Sequence, residues 1–227
     1  LIAAKLAMKW RQRLAIVALA LCHPALILID HGHFQYNSVS LGFSLFAFHF
    51  FAFGSRPGIA TTDLVGAVFF CLALNFKQMS LYHAPAVFFF LLGRCFAAGD
   101  MVTAALDIAK LGFVVLLSFA VLWWPFCVYA TDDVGCAGGL LQVLKRLFPF
   151  DRGVFEDKVA NLWFVLSVKP ISLRSRLPDA AMPKLALLST ITLFALPCWC
   201  LFKAGLRSHQ MPDRGIRALL WGSTACA

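Results

Sequence analysis

Long apolar runs broken by short polar clusters set the rhythm of the chain. Crossing the hydrocarbon core of a bilayer takes roughly 17–25 helical residues. Runs near that length fall at residues 14–29, 39–53, 62–76, 81–92, 111–129 and 185–202, and a shorter one at 159–168 either crosses or re-enters. The runs do not alternate with period two; Phe88, Phe89 and Phe90 are consecutive. Helices that are apolar all round fit this pattern, and the strands of a barrel do not. The expectation is an all-α, polytopic transmembrane protein, with about seven spanning or partly spanning helices by the length rule. They form a single membrane domain over residues 1–227.

The polar clusters between the runs predict an orientation. Lys5, Lys9, Arg11 and Arg13 precede the first span and should stay cytosolic, so Asp30 emerges on the lumenal side. The chain returns to a tight turn at residues 54–58, which carries Arg56, and goes out again behind Thr61, Thr62 and Asp63, whose oxygens suit an N-cap. Lys77 and Gln78 mark a lumenal turn, and the return passes Pro85. Residues 94–110 read as a more polar, amphipathic cytosolic connection. The span at 111–129 ends on Trp123 and Trp124, an interfacial aromatic belt, ahead of a long polar lumenal stretch at 131–158. Bases flank the span at 185–202 on both sides, Lys169, Arg174, Arg176 and Lys184 before it and Lys203, Arg207, Arg214 and Arg217 after. Both groups cannot be cytosolic, so the topology beyond residue 158 stays open.

Composition agrees with this reading. The 227 residues are 61% hydrophobic and 14% charged, where a soluble domain carries about 45–50% and about 25%. The apolar surplus must face lipid. The net charge of +9 would suggest nucleic acid in a soluble protein, but here the bases sit between apolar runs as juxtamembrane anchors, and no nucleic-acid motif accompanies them. The eight cysteines lie mostly within apolar runs, without redox or zinc spacing, and none is assigned chemistry. A first residue other than methionine, and a last segment that stops inside a helix starting at Trp221, read as cut ends of a fragment.

Three polar segments at expected lumenal ends carry the candidate chemistry. The first holds Asp30, His31, His33, Gln35 and Asn37. If the helix continues through it, Asp30, His33 and Asn37 share one face while His31 and Gln35 pair at i+4. Ionisable groups at a membrane edge are costly and mark function by default; adjacent and i+2 spacings converge poorly on a metal. The second holds Asn75, Lys77, Gln78, Tyr82 and His83; its lysine either snorkels to headgroups or holds a phosphate or sugar hydroxyls with Asn75 and Gln78. The third runs from Lys145 to Asn161, mixing Arg146, Asp151, Arg152, Glu156, Asp157 and Lys158 with Phe148, Phe150 and Phe155. Guanidinium groups suit phosphate, and carboxylates suit sugar hydroxyls.

Together the strings LILIDHGHFQYNSVSLG, LNFKQMSLYHAPAVFFFLLG and LLQVLKRLFPFDRGVFEDKVANLW resemble the dolichyl-phosphate-glucose-dependent α-1,3-glucosyltransferases of asparagine-linked glycosylation. The likeness runs from about residue 26 to 163; beyond that only hydropathy carries it. DHGHFQYNS and NFKQM look more like the enzyme that adds the first glucose than its sister that adds the second. The resemblance implies part of a GT-C fold in the endoplasmic-reticulum membrane, its active site facing the lumen. It implies dolichyl-phosphate-glucose as donor and a dolichyl-diphosphate oligosaccharide as acceptor, with membrane lipid around it and no nucleic acid, cofactor or metal. On this resemblance Arg146, Arg152 and Lys158, with Lys77 behind them, are expected at the phosphate. Asp30, His31, His33, Gln35 and Asn37 line the sugar site, and Glu156 and Asp157 orient hydroxyls or hold the bases. The family's base, an aspartate in the first lumenal loop, is expected upstream of Leu1, and its His-Glu-Lys motif beyond the other end. A transporter is the rival class; it predicts internal repeats and broken helices at the midplane, which the sequence does not display.

Overall fold

The computed structural model describes residues 9–54, 56–130, 135–147, 165–166, 172, 178, 181–210 and 212–226, and every regular element among them is helical. Helix α1 (Trp10–Leu21) is followed by a π-helical segment at Leu26–Gly32, then by α2 (Asn37–Phe53) and α3 (Thr61–Phe76). A 3₁₀ turn at Gln78–His83 leads into α4 (Ala84–Cys95). Then come α5 (Met101–Val128), α6 (Gly135–Leu147), α7 (Ala181–Arg207) and α8 (Pro212–Cys226). Gln78–Ala98, α5 and α7 are each long and apolar enough to cross a membrane. The short run at 159–168 lies outside the described residues, apart from 165–166.

Several sequence expectations change. The run at 14–29 is not one straight span: α1 and Leu26–Gly32 meet at 47°. Pro24 at the break lacks an N–H and disfavours helical geometry at the residue before it. Residues 94–110 are not an amphipathic connection. Arg94 lies in the last turn of α4, and Asp107 and Lys110 lie within the 28-residue helix α5. Asp100 starts that helix by accepting from the Thr103 N–H (2.9 Å) and Oγ1 (2.8 Å), an N-cap. The stretch after residue 131 is not simply polar loop, since 135–147 forms α6. The last helix begins at Pro212, well before Trp221.

Helices α2 and α3 pack on each other, α4 packs on α7, and α8 folds back along α7 to touch α2 and α4. Phe48, Phe51, Phe70, Val87, Phe90, Leu91, Leu201 and Leu219 form the core at their junction. Contact between α4 and α7 depends on two glycines facing opposite backbones. A Cβ at Gly93 would meet the Phe202 carbonyl, and one at Gly205 would meet the Phe90 carbonyl. Small residues that let backbones approach are the usual device for helix pairs in lipid, where apolar burial gives little drive. By contrast α5 buries only Ala104 and Asp107 and leaves Phe113, Leu116, Val121 and Trp124 exposed. Such an exposed apolar surface fits the surplus that the composition places outside a soluble core.

The turn between α2 and α3 is clasped by charge from both sides. Fully buried Arg94 pairs with Asp63 and donates to the carbonyls of Phe51 (3.0 Å) and Gly54. Asp107 accepts from the Ile59 N–H at 2.8 Å and from Lys110 at 3.1 Å. Gly54 and Gly58 leave room for these groups, and Gly58 adopts φ +85°. Asp63 also accepts from the Ala60 N–H at 2.9 Å. The cap of α3 is therefore this backward reach rather than the Thr61 and Thr62 oxygens.

Candidate functional site

The opposite end of the bundle from that clasp gathers the polar groups. Helix α2 starts there, α3 ends there, the 3₁₀ turn begins there and α5 finishes there, the last tied to α3 by Trp123 Nε1 donating to Asn75 Oδ1 at 2.6 Å. Helix α6 is joined to the end of α5 by a Cys127–Cys136 disulfide. Helix α7 runs parallel to α4, its first half beside Pro85 and Phe89 and its second beside Gly93. That fixes the parity left open by the sequence. Lys184 starts on the polar end, whereas Lys203 and Arg207 belong to the end that holds Arg94.

The helix stops at Gly32 and does not continue to Asn37. Phe34 and Tyr36 adopt φ +53° and +57°, conformations that cost about 1–3 kcal/mol each for non-glycine residues. The shared face expected for Asp30, His33 and Asn37 therefore does not form. Instead the chain doubles back, and the buried Asp30 carboxylate accepts from the Asn37 N–H (2.7 Å) and the Ser38 N–H. Those are first-turn donors of α2, which no helical carbonyl can satisfy. Asn37, thus placed, accepts from Lys77 Nζ through Oδ1, and the same ammonium lies 3.4 Å from the Gln35 carbonyl. Asn37 Nδ2 donates weakly to Gln35 Oε1 at 3.5 Å.

An open cleft of about 630 Å³ lies against these groups. Asp30, Asn37, Lys77 and His83 line it together with Leu26, Ile29, Leu41 and Met79. Beneath it, buried Ser40 bonds to the Ala73 carbonyl (3.1 Å) and to Ser80 Oγ (2.7 Å), so the helices are stitched without exposing an unsatisfied hydroxyl. Half-buried Lys77 spends two of its three donors on fixed acceptors, and a third remains for a ligand. A cation set in a mostly apolar wall matches an anion that carries a greasy tail.

The other predicted residues divide. His31, His33 and Gln78 are exposed and absent from the cleft lining. Asn75 does not join Lys77, because its amide donates to the Cys71 carbonyl at 2.8 Å and its oxygen takes the Trp123 indole. Exposed Arg146 lines a second cleft of about 730 Å³ with Asn75, Trp123, Tyr129 and Gln142. Asp151, Arg152, Glu156, Asp157 and Lys158 lie outside the described residues. Sequence reasoning missed the Cys127–Cys136 bond, the serine pair and the Asp63–Arg94 clasp. Only the last had a usable signal: opposite charges buried in apolar helices must pair.

The model of the ALG6, ALG8 glycosyltransferase family matches residues 1–207. A dolichyl pyrophosphate Man9GlcNAc2 alpha-1,3-glucosyltransferase of Gallus gallus is 51% identical over 155 residues, 67% of this chain and 28% of that protein. Its namesake in Pongo abelii is 46% identical over 158 residues, 70% of this chain and 28% of its own length. A probable one in Arabidopsis thaliana is 40% identical over 181 residues, 80% of this chain and 30% of its own. The chain thus spans about three tenths of the length of the curated relatives it matches.

Proposed function

The chain belongs to the ALG6, ALG8 glycosyltransferase family, and on that premise we propose that it is the cleft-bearing part of an inverting α-1,3-glucosyltransferase. The protein moves glucose from dolichyl-phosphate-glucose to the dolichyl-diphosphate oligosaccharide that carries nine mannoses. The names of the relatives support that acceptor. The observation that carries the reading is Lys77, held by Asn37 and Gln35 at the wall of a mostly apolar cleft. A polyisoprenyl phosphate needs both halves of that surface.

Inversion is a single displacement: the acceptor hydroxyl attacks the anomeric carbon while the bond to the phosphate oxygen breaks. The hydroxyl proton passes to a general base, to which no residue of this chain is assigned. Dolichyl phosphate departs as an anion, and the Lys77 ammonium stabilises the charge growing on it. In this reading Arg146, Arg152 and Lys158 add positive charge at the phosphates, while Asp151, Glu156 and Asp157 hold sugar hydroxyls or those bases. Asp30 acts through the loop it fixes, and His31, His33 and Gln78 stand at the rim. The Cys127–Cys136 bond on the same end supports an oxidising, lumenal exposure of this face in the endoplasmic reticulum.

The test uses the full-length protein. Lys77→Met should raise the KM for dolichyl-phosphate-glucose about tenfold or more, the scale of a lost charge-assisted bond, while Lys77→Arg keeps most activity. An unchanged donor KM in Lys77→Met would exclude the cleft as the donor site. Offering acceptors with and without a first glucose separates the two sister reactions.

A further inference from the structure

His83 closes the 3₁₀ turn that follows Lys77, and its imidazole lines the same cleft. Two contacts hold the ring. Nδ1 lies 3.3 Å from the Ser223 carbonyl of α8, and the Phe48 ring meets it edge-on, centroids 6.1 Å apart at 80°. A carbonyl oxygen only accepts, so Nδ1 carries the proton, and in the neutral ring the lone pair belongs to Nε2. Among the described residues Nε2 has no hydrogen-bond partner.

The other buried or half-buried polar side chains of the cleft are already engaged. Asp30 serves two backbone N–H groups, Asn37 Oδ1 takes Lys77, and Ser40 and Ser80 bond to each other. Beside the exposed His23 and Tyr82, which also line the cleft, this leaves His83 Nε2 as an acceptor on an anchored side chain in a mostly apolar wall. We propose that His83 is a hydroxyl-binding residue: Nε2 accepts a hydrogen bond from a sugar hydroxyl of the ligand whose phosphate meets Lys77. The assignment rests on the cleft being the donor site. It gives the cleft a means of reading the sugar as well as the phosphate, because a polar group left unpaired by the wrong ligand costs binding.

Two substitutions separate this role from simple anchoring. Asparagine sets its amide where Nδ1 stood and keeps the bond to Ser223; glutamine reaches with an acceptor to where Nε2 stood and gives up that bond. In the full-length enzyme, His83→Asn should raise the donor KM about tenfold with little change in kcat, and His83→Gln should stay within about threefold of wild type, as expected for one neutral hydrogen bond. Among monodeoxy glucosyl donors, wild type should penalise one analogue about tenfold, and His83→Asn should treat that analogue like the parent donor. The reverse ranking of the two variants overturns the proposal and makes His83 an anchor for α8. Equal loss in both, or equal retention in both, overturns it too. If neither variant stays folded, the deoxy series on wild type decides, and the absence of any penalised analogue overturns the proposal. A wild-type protein that makes no use of dolichyl-phosphate-glucose removes the donor-site reading itself, whereas an active enzyme indifferent to His83 removes only this step.

Discussion

Asp63 and Arg94 are 0% and 1% exposed, two full charges in a helical core. Neither could stay ionised there alone, because an isolated buried charge is far costlier than any packing gain around it. Together, with the Phe51 and Gly54 carbonyls accepting from the two terminal guanidinium nitrogens while buried Nε has no partner among the described residues, they become a clasp. Removing one partner strands the other, which costs about 3–5 kcal/mol. Asp63→Ala should therefore lower the thermal unfolding midpoint of the detergent-solubilised protein sharply. The double variant Asp63→Ala/Arg94→Met should recover part of the loss, since it leaves no bare charge. A double variant no better than the single one would show that the backbone bonds of Arg94, rather than the ion pair, hold the turn. Asp30 follows the same economy at the other end: its carboxylate faces N–H groups that have no other partner, and the loop between pays for two left-handed residues.

Among the elements, the α4–α7 contact decides most. It aligns a helix contiguous with the Lys77 turn to one some hundred residues on in sequence, and Gly93 and Gly205 are the points where the backbones meet. A methyl group there presses on carbonyl oxygens of the facing helix, which cannot swing aside as a side chain would. Gly205→Ala should destabilise by about 1–3 kcal/mol, the range for overpacking a close contact, measured as a drop in midpoint by light scattering on heating. Gly112, with open space around its Cβ position, is the control and should tolerate alanine. An equal response at both positions would deny the close approach any special weight. The split of the first span into α1 and a π-helical piece has a similar local cause in Pro24, and its outcome is functional, because Leu26 and Ile29 then supply part of the cleft wall.

For the whole molecule, the helix directions sort the polar groups between two faces. Asp30, Lys77, His83 and the Cys127–Cys136 bond share one; Arg56, Arg94, Asp107 and Arg207 share the other. In sealed vesicles, a membrane-impermeant maleimide should reach cysteines placed at Arg56 and at Lys77 from opposite sides. Labelling of both from one side would contradict the bundle's direction of travel. Membrane character, the helical class and the helix limits near 39–53 and 62–76 were legible in sequence, because lipid demands continuous apolar helix and leaves that demand in composition and run length; these two helices are nonetheless shorter than the three that are long enough to span. The gathering of polar residues around Asp30 and Lys77 was legible for the same reason: charge survives near oil only where something needs it. Other features had no local trace. Asp30 caps a helix seven residues downstream, Lys77 reaches forty residues back to Asn37, and Arg94 closes a turn it does not adjoin. Each depends on where the backbone doubles back, and hydrogen bonds between distant segments obey spatial separation, not spacing along the chain. For the same reason the parity of α7 had to come from its packing on α4: two basic flanks balance in the sequence, and only a neighbour of known direction breaks the tie.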